Sequence, residues 1–255
     1  MSDELKAGKV VRIGDSVTLI FGDCLAHLPI EADAVITDPP YGIGLRTDYG
    51  KRFPNNKSRQ CYDAIYGDDV KFDPTPWLKY KIVAMWGANN YATNLPPGAW
   101  LIWQKTHQPN PYYSDAEIAW MNVGRMVRIY RIDQLPPSES PRNAKRATLH
   151  PTQKPVALMA WTMERAKVPI GATVLDPYAG SGSTVIACLR TGRNCIAMEK
   201  DPTYFAVMVE RVKRELSQPF LPSCGTADTD KKGCQDDWLL PTNQKNETDE
   251  HGEPE

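Results

Sequence analysis

Asp38-Pro39-Pro40-Tyr41 holds the densest chemistry in this chain of 255 residues. The tetrapeptide follows the apolar run Ala34–Thr37 and precedes Gly42. An exocyclic amino group on a nucleobase is a poor nucleophile, because its lone pair is delocalised into the ring. Acceptors that hold both amino hydrogens favour a more tetrahedral nitrogen with an available lone pair. The Asp38 carboxylate can supply one acceptor and the Pro39 carbonyl another. Two prolines fix φ and remove backbone donors, so the turn presents carbonyls. Tyr41 can stack on a base, as in pockets that hold a flipped-out nucleotide. The plain alternative is a proline-rich turn that ends a strand.

A second cluster, Asp176-Pro177-Tyr178-Ala179-Gly180-Ser181-Gly182, lies between the apolar run Thr173–Leu175 and a helical pattern. Glycines lack Cβ, so the turn can be tight and a ligand can approach the backbone. A dinucleotide loop wants a third glycine where Val185 stands, and a P-loop wants a Lys that does not follow. The glycines alone are consistent with a tight turn. The next apolar run, Cys195–Met198, ends in Glu199, which is placed to accept hydrogen bonds from ribose hydroxyls. A ligand with adenosine but no diphosphate fits both features. S-adenosylmethionine is the natural candidate.

Asp23, Asp38, Asp176 and Glu199 each come just after an apolar run. Any one of them alone reads as a helix cap. Four together indicate one shared site beyond the carboxyl ends of parallel strands. The runs that would position them are Val17–Phe21, Ala34–Thr37, Ile82–Trp86, Trp100–Trp103, Met126–Tyr130, Thr173–Leu175 and Cys195–Met198. Helical periodicity occupies Val156–Ala166, Thr184–Arg190 and Thr203–Leu216; in the last, Phe205, Met208, Val209, Val212 and Leu216 share one face. The alternation predicts an α/β fold: a mainly parallel, Rossmann-like sheet of about seven strands with helices on both faces. Trp86, Trp103 and Trp120 sit in or beside apolar runs and are expected in the core. His107 and His150 are given no role as bases.

With these motifs in place, the chain resembles the amino-group DNA methyltransferases of the adenine-N6/cytosine-N4 family. The order is the family's permuted β arrangement, in which the catalytic motif precedes the cofactor loop. The matching pieces are Gly22-Asp23-Cys24, Thr37 to Gly42, His150-Pro151-Thr152-Gln153-Lys154-Pro155, Leu175 to Thr184, and Glu199-Lys200-Asp201. Tyr62–Leu78, Met85–Lys105 and Ser114–Ile132 resemble compact versions from phages and prophages. The resemblance implies a Rossmann-like methyltransferase fold, S-adenosylmethionine as cofactor and double-stranded DNA as substrate. It implies a catalytic pocket of Asp38, Pro39, Pro40 and Tyr41. Asp176, Tyr178, Gly180 and Gly182 would lie along the cofactor, and Glu199 would bind its ribose. Asp23 would accept from the adenine amino group, with the Cys24 N–H near N1, and Thr152 and Lys154 would help hold the methionine carboxylate. An Asp at the first motif position goes mostly with adenine N6. Tyr178 replaces the family's usual Phe, and its hydroxyl needs a partner.

Many family members insert a large target-recognition region where this chain has only Asp133 to Leu149. A short or relaxed target site is therefore expected. The candidate DNA contacts are the basic stretch Arg46, Lys51, Arg52, Lys57 and Arg59, interleaved with Tyr49 and Phe53, and a second cluster of Arg125, Arg128, Arg131, Arg142, Lys145 and Arg146. Each is otherwise an ordinary solvated face. Cytosine N4 methylation, RNA methylation and an inactive DNA-binding accessory subunit are the alternatives; a nucleotide-binding oxidoreductase is disfavoured by the missing third glycine.

Composition agrees with a soluble globular protein: 41% of residues are hydrophobic and 24% charged, which excludes wholesale disorder. Net charge is −1, unevenly spread. Residues 218–255 hold nine acidic groups and three Lys, leaving 27 basic and 22 acidic groups in 1–217. A methyltransferase domain over 1–217 and an acidic, disordered or loosely docked tail over 218–255 are expected. No apolar run is long enough to span a bilayer, no secretory h-region opens the chain, and the six cysteines form no CxxC pair. Reduced thiols in a cytoplasmic protein without a metal are expected, and a homodimer is compatible with the sequence.

Overall fold

The computed structural model describes residues 6–44, 66–105, 114–131 and 153–217. Their strands are β1 (Val10–Ile13), β2 (Val17–Phe21), β3 (Ala34–Thr37), β4 (Ile82–Trp86), β5 (Ala99–Gln104), β6 (Ala116–Met121), β7 (Val127–Arg131), β8 (Thr173–Asp176) and β9 (Asn194–Glu199). The helices are α1 (Val156–Arg165), α2 (Ser183–Arg190) and α3 (Pro202–Ser217). All nine strands join one sheet, in the order β1-β2-β9-β8-β3-β4-β6-β5-β7.

β3 is apolar or small at every position and buried along its length, as a strand covered on both faces must be. It pairs in parallel with β4 on one side and with β8 on the other. From β3 the chain runs outward to β4; from β8 it runs the opposite way to β9. The order thus reverses between β3 and β8, and their carboxyl ends flank a crevice, where ligands bind in open α/β sheets. Antiparallel pairing occurs at β1 with β2 and where β6 inserts between β4 and β5; the other pairings are parallel.

All seven expected strands are present, with boundary shifts of one or two residues. Two more, β1 and β6, join them. β1 reads Val-Val-Arg-Ile and is only half-buried on alternate residues, as an edge strand is. β6 carries Glu117 inside an otherwise apolar stretch, which hides its alternation. The helices sit less evenly than expected. Residues of α1, α2 and α3 all pack into the cluster that includes Leu19, Ile36, Trp86 and Leu101. Among the described residues the opposite face, with Val35, Val83, Met85, Leu175 and Met198, is covered by Phe72, Trp77, Tyr80 and Tyr91 from the segment around β4, without an α-helix.

Trp86, Trp103 and Trp120 are buried, as expected. On α3, Phe205, Met208 and Val212 are buried and Val209 is packed against them. Leu216 keeps the helical spacing of that face but is 47% exposed, near the end of the helix. No described helix is long and apolar enough to cross a membrane. The expected tail over 218–255 lies outside the described residues.

Candidate active site

The crevice between β3 and β8 is closed at its base by one buried hydrogen bond. Thr37 Oγ1, at the end of β3, donates to Asp176 Oδ1, at the end of β8, over 2.6 Å. Asp176 Oδ1 also accepts from the Tyr178 N–H at 3.2 Å. Burial pushes the Asp176 carboxyl up to about 6, although its hydroxyl and backbone donors pull the other way.

One residue beyond Thr37, the Asp38 carboxylate receives two donors. Tyr41 Oη donates to Oδ1 at 2.6 Å and Lys154 Nζ to Oδ2 at 2.6 Å. Lys154 also lies 3.1 Å from Tyr41 Oη. The side chain of Lys154 is 4% exposed and that of Asp38 17%, so the carboxylate is reachable while its cation is not. Burial raises the Asp38 carboxyl above its ordinary value, against the opposing pull of Lys154. Tyr41 is raised well above the ordinary phenol range, by burial first and then by the Asp38 charge.

The turn that presents Asp38 is pinned from outside. Asp68 Oδ1 accepts from the Tyr41, Gly42 and Ile43 N–H groups at 3.0, 2.9 and 3.4 Å. Gly87, just after β4, has φ of 72°, and a Cβ there would lie 1.9 Å from Tyr41 Cε1. Only glycine leaves room for the ring in that place.

Glu117 completes the group. It stands near the start of β6, whose antiparallel sense brings its first residues to the carboxyl edge of β4. Its Oε2 is 2.8 Å from Lys154 Nζ and its Oε1 3.0 Å from Lys105 Nζ. Burial works against the Glu117 carboxylate, but the two ammonium groups outweigh it and bring it to about 2. Lys154 is likewise opposed by burial and held well above the usual ammonium range by Asp38 and Glu117.

On the other side of the crevice, the turn after β8 leads through Gly180 and Gly182, with φ of 52° and 84°, into α2. Glu199, at the end of β9, accepts from the Gly180 N–H through Oε2 at 2.8 Å and from the Asp201 N–H through Oε1 at 2.7 Å. Burial pushes Glu199 up to about 7. Arg211 of α3 donates to Ser181 O at 3.0 Å and Ser183 Oγ at 3.2 Å, and Ser181 Oγ donates to Gln153 Oε1 at 3.2 Å. The glycine turn is therefore tied to the residue beside Lys154.

Asp23 follows β2 and lies next to Glu199, because the Gly22 N–H donates to Glu199 O at 2.9 Å. Its Oδ1 caps the Leu25 N–H at 3.0 Å and its Oδ2 pairs with Lys200 Nζ at 2.8 Å. Cys24 is buried beside Tyr178, and burial raises both the thiol and the phenol above their ordinary values. The Tyr178 ring packs edge-on against Phe72 and Trp77, with centroids 5.8 Å away in each case.

Asp23, Cys24, Asp38, Pro39, Pro40, Tyr41, Lys154, Asp176, Tyr178, Gly180, Gly182 and Glu199 thus lie at or beside the carboxyl edge of the sheet. Thr152, Arg46, Lys51, Arg52, Lys57, Arg59, Arg142, Lys145 and Arg146 lie outside the described residues. Arg125, Arg128 and Arg131 are exposed on and beside β7. Sequence reasoning did not single out Asp68, Gly87, Glu117 or Arg211. Only Gly87, directly after an apolar run, carried a local signal.

A sheet that reverses direction between an Asp-Pro-Pro-Tyr turn and a glycine turn, with an acidic residue closing the next strand, is a Rossmann-like methyltransferase fold. Within that class the chain belongs to the DNA methylase family of N6/N4 enzymes, which it matches over residues 77–210. It is similar to the Escherichia coli protein named "Putative methylase YubD", 27% identical over 242 residues, covering 87% of this chain and 97% of that one. It is also 27% identical over 119 residues to "Type II methyltransferase M2.MboI" of Moraxella bovis, covering 44% of this chain and 40% of that one. Among solved structures, "PvuII DNA methyltransferase (cytosine-N4-specific)" superposes with a TM-score of 0.49 at 16% identity, over 77% of this chain and 86% of that one.

Proposed function

We propose that this DNA methylase methylates the N6 amino group of adenine, flipped out of double-stranded DNA, with S-adenosylmethionine as the donor. The observation that carries the reading is the placement of the Asp38 carboxylate at the carboxyl end of β3, one residue from the hydrogen bond that joins Thr37 to Asp176. An amino-group acceptor and a nucleoside-type cradle thereby share one crevice.

The residues on the cofactor side fit such a donor. Asp176 is a buried carboxylate and Glu199 a half-buried one, and each has lone pairs beyond those its donors use. Asp23 stands beside Glu199 as a further acceptor, and the glycine turn lets a ligand reach the backbone. The cofactor, when bound, brings a methyl group already activated on a sulfonium. Asp38 accepts one amino hydrogen through its carboxylate and the Pro39 carbonyl accepts the other. Tyr41, fixed by Asp38 and Gly87, offers its ring to the base. The work left to the chain is alignment and stabilisation of the positive charge that grows on the amino nitrogen.

Adenine is favoured over cytosine by Asp at the first motif position. A short or relaxed target, of about two to four base pairs, follows from the small stretch between β7 and α1. Incubation with tritiated cofactor and unmethylated DNA, RNA or no nucleic acid, followed by nucleoside analysis, tests the reading. N6-methyladenine in DNA is expected. N4-methylcytosine as the sole product, or label only in RNA, overturns it.

A further inference from the structure

Lys154 creates an electrostatic difficulty for the reaction proposed above. Its ammonium lies 2.6 Å from the Asp38 carboxylate, and the two charges alone cancel. A neutral pair gives little stabilisation to positive charge developing on a nearby amino nitrogen. In a site sheltered from water, that missing stabilisation would cost rate. The same ammonium, however, is 2.8 Å from Glu117, so one cation is shared between two carboxylates and the trio is net negative. Lys105 stands beyond Glu117, 3.0 Å from its other oxygen, and the charges that act most on Asp38 are those of Lys154 and Glu117.

We propose that Glu117 is a positioning residue of the amino-group pocket: by sharing the Lys154 ammonium with Asp38, it fixes that side chain and keeps the pocket negative. The inference rests on the amino-group methyl transfer proposed above. Glu117 does not touch the base; it acts through Lys154. Burial of Lys154 makes this arrangement stiff, because an ammonium out of water needs both partners. The groups that face Asp38 are Tyr41 on its own turn, Lys154 from the segment before α1, Glu117 from β6, Asp176 from β8 and Tyr91 from beyond β4. Of these, Glu117 opposes ionisation of Asp38 and Lys154 favours it.

The test is Glu117→Gln, which keeps shape and removes charge. Wild-type methylation of DNA, measured first, decides the underlying reading by itself. The variant should lose kcat by roughly tenfold or more, with KM for the cofactor within a few fold. The acid limb of its kcat profile should move to lower pH, since the charge that opposed Asp38 ionisation is gone. Glu117→Asp should recover part of kcat. An unchanged kcat and acid limb in Glu117→Gln would overturn the proposal, as would a loss that falls on KM for the cofactor alone. Should Glu117→Gln fail to fold, Glu117→Asp carries the test: a kcat no better than that of Glu117→Ala would sink it. Should the wild type methylate nothing, titration of the Lys154 Nζ signal by NMR still judges the linkage, which predicts a lower ammonium pKa in Glu117→Gln and is refuted by an unmoved one.

Discussion

Lys154 Nζ and Asp38 Oδ2 lie 2.6 Å apart although 116 positions separate them in the chain. The Lys154 side chain is 4% exposed and that of Asp38 17%. Asp38 can therefore keep a buried counter-charge and still offer a lone pair to a ligand.

Asp38→Ala should abolish turnover while cofactor affinity stays within a few fold. The carboxylate acts where the amino group reacts, so its loss falls on the transition state. Tritium transfer and calorimetric titration, run on the same preparation, separate the two effects. Near-normal turnover would show that Asp38 is not the acceptor.

Glu199→Ala and Asp23→Ala should instead weaken S-adenosylmethionine binding, by ~1–3 kcal/mol for each lost acceptor. Glu199→Ala should have the larger effect, because its carboxylate also holds the Gly180 and Asp201 N–H groups. Asp23 is 44% exposed and already paired with Lys200. Calorimetry with both variants checks this; unchanged affinity in both would remove the cofactor from this side of the crevice.

Glu199 and Asp176 are raised to about 7 and about 6 from ordinary values of 4.5 and 3.8. In that window the folded protein holds protons that the unfolded chain has released. Stability contributed by these groups is therefore greatest at the acid end and declines as pH rises toward 7. Glu117, held near 2, works in the opposite sense but only below its ordinary value of 4.5. Thermal unfolding of the ligand-free protein should show Tm falling from pH 5 to pH 7, and Glu199→Gln, which mimics the protonated form, should flatten the slope. Cofactor binding should strengthen over the same range as Glu199 ionises. A Tm that rises through this window in the wild type would contradict the assignment.

Gly87→Ala should cost activity out of proportion to its size. The backbone there has φ of 72°, which alone costs an L-residue about 1–2 kcal/mol. The new methyl would also meet the Tyr41 ring at 1.9 Å and drive it from its place against Asp38. Urea titration gives the stability loss, and kcat should fall well beyond what that loss explains. A variant with wild-type kcat would mean that Tyr41 need not stay where it is.

The parts of the site that were legible in the sequence share one property: they close an apolar run. Asp38, Asp176 and Glu199 are read this way because β3, β8 and β9 are buried strands that end in a polar residue. Glu117 gives no such sign. It enters the site from the beginning of β6, and only the antiparallel sense of that strand brings it to the right edge. Asp68 is chosen by the path of a connection, and nothing in its neighbours says that three N–H groups of another turn will meet it. For Lys154, the family resemblance implied a hand on the methionine carboxylate. The structure places its ammonium between Asp38 and Glu117, a partnership set by long-range packing. Leu216 continues the helical period of α3 and is exposed all the same. Periodicity records which way a side chain points on its own helix, not how far the surface that would cover it extends.

Thr37 and Asp176 are 139 residues apart, yet their hydrogen bond forms the floor of the crevice. During synthesis, a chain that has just produced β3 has no β8 to pair with it. At about 5–20 residues per second, roughly 7–28 s pass before Asp176 emerges. Until then Asp38 stands at the edge of half a sheet, without the glycine turn beside it. A nascent or truncated chain that ends before β8 is thus chemically silent, and translation itself sets the moment at which methylation can begin.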